Sequence, residues 1–389
     1  MGLKKFAAPT ALMFGNFVTG LAVMSPAGML ADLAKSLGVS VYQAGLLITF
    51  GAIVLCIGSP LMTWLTSTID RRRLLAGSML GVAISHAAAF VAPDYTSLMV
   101  LRLVMLAIIV VFTPVAAGTA AMIVPEDQRP STIVYVFLGW SLALALGMPL
   151  VTYVAAHVGW REMLGGIGAL ALLASVLVAV VLPKGLVGAP VELRTWIVLG
   201  RNRLVLLLLL ITTLQVAGQF CTFPYLGPLL LQMTRATPET IALAFGIFGV
   251  FGFFGNIFAM RAVGWIGPFW TSVIFLSLLL LGSVVWVIGA GITALPVLLA
   301  ASVLWGLGFA AMNSMQQTRL IGAAPVFASA AVALNTSMLY VGQAVGSGLG
   351  GQFFAHDQLQ ANGYAGIAFI VLAIGVLFLT RPRSSVVGA

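Results

Sequence analysis

The sequence predicts an all-α membrane protein of about twelve spans arranged as two related sets of six. Three observations carry this. The chain has 389 residues, of which 61% are hydrophobic and only 7% charged, a balance that no water-soluble domain of this size keeps. Apolar windows of roughly 20 residues, long enough to cross a hydrocarbon core, recur along its whole length. Shifted by 199 positions, the fifth span lays Gly147 on Gly346, Leu150 on Leu349, Ala156 on Ala355 and His157 on His356. Such internal repetition marks membrane folds built from two equivalent halves.

In order, the predicted spans cover 8–33, 42–65, 74–92, 96–123, 139–157 and 162–182, then 204–231, 240–260, 268–290, 295–315, 328–355 and 364–380. This divides the chain into a first bundle (1–182), a connector (183–203) and a second bundle (204–389). The connector is basic and carries Trp196 and Ile197, so it reads either as a surface-lying helix or as a plain loop. The charges fix a topology. With a cytoplasmic N-terminus, fourteen Lys and Arg residues fall in inner loops and tails; only Lys35, Arg161 and Arg235 lie outside, and Arg102 sits within a span. Positive residues are retained inside, so both termini are expected in the cytoplasm. The net charge of +9 is spread over short loops and gives no nucleic-acid-binding face. Lys4 and Lys5 precede an apolar run too long for a cleaved leader, which reads as the retained first span.

Enzyme chemistry is excluded on residue types. The histidines are His86, His157 and His356, with no metal spacing. The nine acids lie in loops or near span ends, and Cys56 and Cys221 lie inside spans. No carboxylate pair, nucleophile constellation or phosphate loop is present, and no cofactor is expected.

The fifth span carries a motif. Gly139 and Gly147 would let a second helix approach closely, Pro149 would bend the segment, and Trp160-Arg161 opens the next span. The helix thus reads as a kinked rod on which two halves rock, with Gly342 and Gly346 its counterparts. This pattern resembles the fifth-helix signature of twelve-span drug and sugar efflux antiporters of the major facilitator superfamily. Val151 and Thr152 stand where that family has a trailing glycine pair. Arg102, four residues after Leu98, resembles the arginine that these carriers keep in the fourth helix, although Met105 and Leu106 replace the usual Gln and Gly. The turn Asp70-Arg71-Arg72-Arg73 keeps the superfamily's basic loop, with Trp64 for its glycine and Ser67 for its aspartate; Asp70 is the available substitute.

The resemblance implies the major facilitator fold, two six-helix bundles related by a pseudo-twofold axis, with spans 1, 4, 7 and 10 lining a cavity. Polar and aromatic residues on these and the flanking spans are then the candidate substrate wall: Asn16, Trp140, Gln215, Gln219, Tyr225, Asn313, Gln317, Asn335, Tyr340 and Gln343, with Asn256 and Gln316 beside them. Each could instead be interhelical glue. Gln215 and Gln219 share a helix face, as do Asn313 and Gln317, which favours a pocket. Arg102 reads either as a cavity-facing cation or as a side chain snorkelling to headgroups about 9 Å away. An amide-rich wall suits a neutral or amphiphilic solute better than a phosphate. The resemblance implies export of a drug, sugar or metabolite by alternating access from a bacterial inner membrane, as a monomer in the bilayer, by proton antiport. Asp32 and Arg102 are then the coupling candidates, although Asp32 also reads as a solvated helix end. No acid sits clearly at bilayer depth, which leaves a facilitative or differently coupled carrier as an alternative. A non-transporting receptor or scaffold is a third reading.

Overall fold

The computed structural model describes residues 2–187 and 193–381. Met1, 188–192 (with Glu192) and 382–389 (with Arg383) lie outside the described residues, as do the side chains of Lys4, Lys5, Asp127, Arg194 and Trp196. Every regular element among them is helical. The first half runs α1 (Gly2–Gly28), α2 (Leu30–Leu37), α3 (Val41–Leu65), α4 (Arg71–Phe90), α5 (Tyr95–Ile109), α6 (Phe112–Met122), α7 (Arg129–Leu142), α8 (Met148–His157) and α9 (Trp160–Val181). A connector helix, α10 (Leu193–Arg201), precedes α11 (Arg203–Phe220), α12 (Leu226–Thr234), α13 (Pro238–Gly291), α14 (Leu295–Ala323), α15 (Ala328–Ala355) and α16 (Ala361–Leu379). Ten segments are apolar and long enough to cross a membrane. Of these, the 54-residue α13 is two spans in one, because Gly267 interrupts it at φ 76°, a left-handed value that glycine adopts without steric cost. The glycine- and amide-rich α15 is not among the ten.

Three predicted spans prove to be broken, and each carries a proline. The first divides at Met29 beyond Pro26, the fourth at Val110–Val111 before Pro114, and the seventh at Cys221–Tyr225 around Pro224. Proline has no N–H for the carbonyl four residues back and crowds it sterically. The fifth span absorbs Pro149 differently. Residues Ala143–Gly147 form a π-helical turn, and the Met148 N–H reaches back five residues to the Ala143 carbonyl. The expected kinked rod is thus a local widening placed one turn before the proline.

Helices within each half pack on one another. In the first half α1 lies against α3, α6, α7 and α9, and α4 against α5 and α9; in the second α11 lies against α14, α15 and α16, and α13 against α14 and α16. The halves meet where α3 packs on α15 and where the π turn and α8 pack on α13. Polar contacts among the described residues cross this seam, including Thr49 to Ser347 (2.9 Å), the Gln352 amide to the Tyr42 hydroxyl (2.7 Å) and His157 to Glu239 (3.0 Å). These lie toward the face away from the chain termini.

Close approach depends on missing side chains. Gly342, Gly346 and Gly350 of α15 sit on the backbone of Thr213, Ala217 and Cys221 of α11, so a Cβ at any of them would collide with main-chain atoms. On α13 the glycines come every third residue, at 246, 249, 252 and 255. Three residues turn a helix about 300°, so such a stripe winds backwards about 60° per step. It therefore serves two partners. Gly246 and Gly249 face Pro149 and the Leu144–Ala145 backbone of the π turn, whereas Gly252 and Gly255 face α14. This stripe is legible in the sequence as a period but not as a contact.

Replacing Gly346 by Leu should destabilise the purified protein by about 3 kcal/mol through overpacking. Gly118→Ala, whose added methyl meets only open space, should be neutral or stabilising by up to about 1 kcal/mol. Thermal unfolding in detergent measures both, and equal midpoints for the two variants would contradict the packing described.

Candidate functional site

The broken helices leave backbone carbonyls without helical partners, and polar side chains take them up. Pro26 cannot donate to the Ala22 carbonyl. Arg102, on α5, supplies the missing donor: Nη1 bonds Ala22 O (3.1 Å), Nη2 bonds Val23 O (2.8 Å) and Nε bonds Leu47 O on α3 (3.0 Å). The guanidinium is 8% exposed. It ties α1, α3 and α5 together and points inward, away from a headgroup-seeking arrangement. Asp32, its expected coupling partner, is half-buried on α2, and no ion pair joins the two among the described residues. Partial burial pushes the Asp32 carboxyl above its usual range, against its own backbone and Lys35.

The same logic operates at the seventh span. Asn362 of α16 donates to the Cys221 carbonyl at the break (3.0 Å), and the Tyr225 hydroxyl donates to Ser347 O (2.8 Å). Tyr225 is therefore a strut between the seventh span and α15 rather than a free wall residue.

On the terminal face, Asp70 caps α4 through the Arg73 N–H (3.0 Å) and accepts from the Gly185 N–H (2.6 Å). The Arg71 N–H meets Leu186 O (2.8 Å), and Arg72 reaches Leu182 O (3.3 Å). The loop is thus stapled to the end of α9, in its own half. Hydrogen bonds from the Arg73 and Gly185 amides hold the Asp70 carboxyl below its usual range.

Two polar groups are built inside the bundles, one in each half. In the first, the Trp140 indole donates to Thr113 Oγ1 (3.1 Å), Thr113 donates to Asn16 Oδ1 (2.7 Å), and Asn16 Nδ2 donates to Val136 O (3.0 Å). This relay fixes α1, α6 and α7 and holds the indole half-buried. In the second, Gln215 Nε2 bonds Asn313 Oδ1 (3.0 Å), Thr212 bonds Asn335 Oδ1 (2.6 Å), and Gln316 bonds Leu208 O (2.7 Å). Ser314 bonds Asn256 Oδ1 (2.7 Å). Asn313, Gln317 and Asn256 are only half-buried.

Within this second group, hydrogen bonding is incomplete. Gln219 is 1% exposed, yet neither its Oε1 nor its Nε2 finds a partner among the described residues. The side-chain oxygens of Gln215, Gln316 and Gln343 are also buried and unpaired. Each such group costs on the order of 1–3 kcal/mol. Immediately after Gln219 in the chain begins an aromatic cluster of Phe220, Phe223, Phe248 and Phe309, with ring centroids 4.6–6.3 Å apart along the chain of contacts. The arrangement offers hydrogen-bond acceptors, one free amide donor and flat apolar faces. Tyr340 is buried on α15 and Gln343 lies one turn nearer the break. The sequence reading missed Thr113, Thr212 and Asn362, whose small or peripheral side chains give no signal until helices are placed side by side.

Arg102→Ala should lower stability by about 3 kcal/mol by removing three charge-assisted hydrogen bonds that tie α1 and α3 to α5, and Arg102→Lys should recover part of it. Detergent unfolding curves measure the difference; an unchanged Ala variant would remove Arg102 from the role of stitching the proline break.

The comparisons agree with this architecture. The family model described as Major Facilitator Superfamily matches residues 12–347. The uncharacterized MFS-type transporter YbcL of Bacillus subtilis (strain 168) is 28% identical over 380 residues, covering 95% of each chain. A probable sugar efflux transporter of Helicobacter acinonychis (strain Sheeba) is 29% identical over 385 residues, covering 97% of this chain and 95% of that one. The crystal structure of the nucleoside transporter NupG superposes with a TM-score of 0.78 at 12% identity, covering 97% of this chain and all of the other. The expectation of a multi-pass transporter rather than an enzyme therefore holds, and the chain belongs to the major facilitator superfamily.

Proposed function

We propose that this protein exports a small neutral, hydroxyl- or amide-bearing solute across a bacterial inner membrane by alternating access. The bundles 1–182 and 204–389 rock about the seam between them, joined by the connector 183–203, and both termini face the cytoplasm. The observation that carries this reading is Gln219, a fully buried amide with no partner, set one helical turn from the Gln215–Asn313 pair. A native fold tolerates such a cost where something else completes the bonds. A solute with several O–H or N–H donors does so, while Trp140 and the phenylalanines cover its apolar faces. The relatives named for sugar efflux support this class of solute. Gln317, Asn335, Tyr340 and Gln343 complete the second-half wall, and Asn16 supports the first.

Proton antiport is the coupling we favour, with Asp32 as the exchanging group, because its carboxyl is already biased toward the protonated form. A facilitative carrier is the second reading. It is favoured by the acids among the described residues, which sit in loops, helix ends and first turns rather than at mid-span. Solute flux into proteoliposomes separates the two: antiport predicts at least tenfold faster exchange with an imposed pH gradient, and indifference to the gradient selects facilitation.

Gln219→Leu should raise thermal stability by about 1–2 kcal/mol, since it removes an unpaired buried amide. The same change should weaken solute affinity at least tenfold. A variant that is destabilised yet transports normally would overturn the binding role of Gln219.

A further inference from the structure

We infer that His157 and Glu239 form a proton-operated latch that clamps the two halves together at the face away from the termini. The argument is one of donors and acceptors. His157 Nδ1 lies 2.9 Å from the carbonyl of Tyr153, which can only accept. Its Nε2 lies 3.0 Å from Glu239 Oε1. A neutral imidazole has one N–H and one lone pair. It satisfies either contact but sets a lone pair against the other acceptor. Only the doubly protonated ring donates to both while Glu239 remains a carboxylate.

The helices favour those two charges. His157 is in the last turn of α8, where the carbonyl ends stabilise a cation, and Glu239 is in the first turn of α13, where the amide ends stabilise an anion. The two ends belong to different halves, so their attraction acts across the seam. Tyr153 stacks on the imidazole at 4.3 Å and keeps the ring turned toward α13. Two of the other ionisable groups nearby are engaged elsewhere. Arg161 donates to Ala92 O and lies over Trp160, and Glu162 folds back against Gly159. Arg235 precedes α13 in a left-handed turn.

The pair is 41% and 55% exposed, so protons and salt reach it freely. The latch is therefore modest, and it is set by the medium on that face rather than by solute. Histidine side chains change charge between about pH 5 and 8. With both ring nitrogens carrying a proton the seam is clamped; with one proton gone a donor is missing and the clamp is released. The repeat gives the other half of the seam a counterpart that crosses by a neutral hydrogen bond instead of an ion pair. His356, the equivalent of His157, binds the Gln352 carbonyl on its own helix (2.8 Å), while the Gln352 amide bonds the Tyr42 hydroxyl across the seam (2.7 Å). One latch is thus pH-sensitive and the other constant.

The test is a distance measurement that requires no solute. The full chain carries Cys56→Ser, with spin labels at Val158→Cys and Gln232→Cys, and is reconstituted in nanodiscs. Electron–electron resonance reads the seam as open or closed. The population ratio of closed to open should rise about two- to fivefold from pH 8 to pH 5.5, the range expected for an exposed ion pair, and high salt should blunt the rise. Both His157→Gln and Glu239→Gln should abolish the pH response, and either suffices. His157→Lys should favour the closed form at both pH values. A flat response in the unsubstituted pair, or an undiminished response in His157→Gln, would overturn the latch. Neither result bears on which solute is carried.

Discussion

In hydrocarbon every backbone N–H and C=O must find a partner inside the protein, and the design of this chain follows from that constraint. Its spans are not uninterrupted rods. Proline breaks the first, fourth and seventh, and widens the fifth into a π turn. Each interruption frees carbonyls, and at three of them a particular side chain or turn supplies a donor. Arg102 serves the first span, Asn362 the seventh, and the Met148 N–H the fifth. The buried arginine is thereby explained without a carboxylate partner: its charge is spread over three carbonyl dipoles, of which that of Ala22 lacks a helical N–H because residue 26 is proline.

Interrupted helices also need close neighbours, and glycine provides them. The stripe on α15 seats that helix on the backbone of α11, while the winding stripe on α13 first meets the π turn and then α14. The seam between the halves thus combines a helix that has lost regular geometry with one that has lost side chains. Neither surface interlocks by side chains there, so relative movement breaks few specific contacts. Rigid packing within each half and a smooth joint between them are what alternating access requires of a structure.

Against this economy the second half keeps a polar surplus. Thr212, Asn335, Gln215 and Asn313 pair with one another, but Gln219 and the oxygens of Gln316 and Gln343 do not. The surplus is shared by α11, α14 and α15. A protein under pressure for stability alone would replace Gln219 with leucine. Its presence where the seventh span breaks is a cost in stability that the proposed recognition of a solute would offset.

Much of this was legible in the residues. Apolar runs of span length, the bias of positive loops and the near-repeat of the fifth and eleventh spans determined an all-helical membrane protein in two halves, because bilayer thickness admits few other readings. Gln215 with Gln219, and Asn313 with Gln317, could be recognised as shared faces from their spacing of four. What the sequence could not state was which group answers which. That Arg102 faces the carbonyls of Ala22, Val23 and Leu47, that Asp70 reaches the end of α9, and that His157 meets Glu239 all depend on how helices distant in the chain lie against each other. Local patterns specify helices and their faces; only tertiary packing decides which donor meets which acceptor, because a hydrogen bond is satisfied by distance in space and not by separation in sequence.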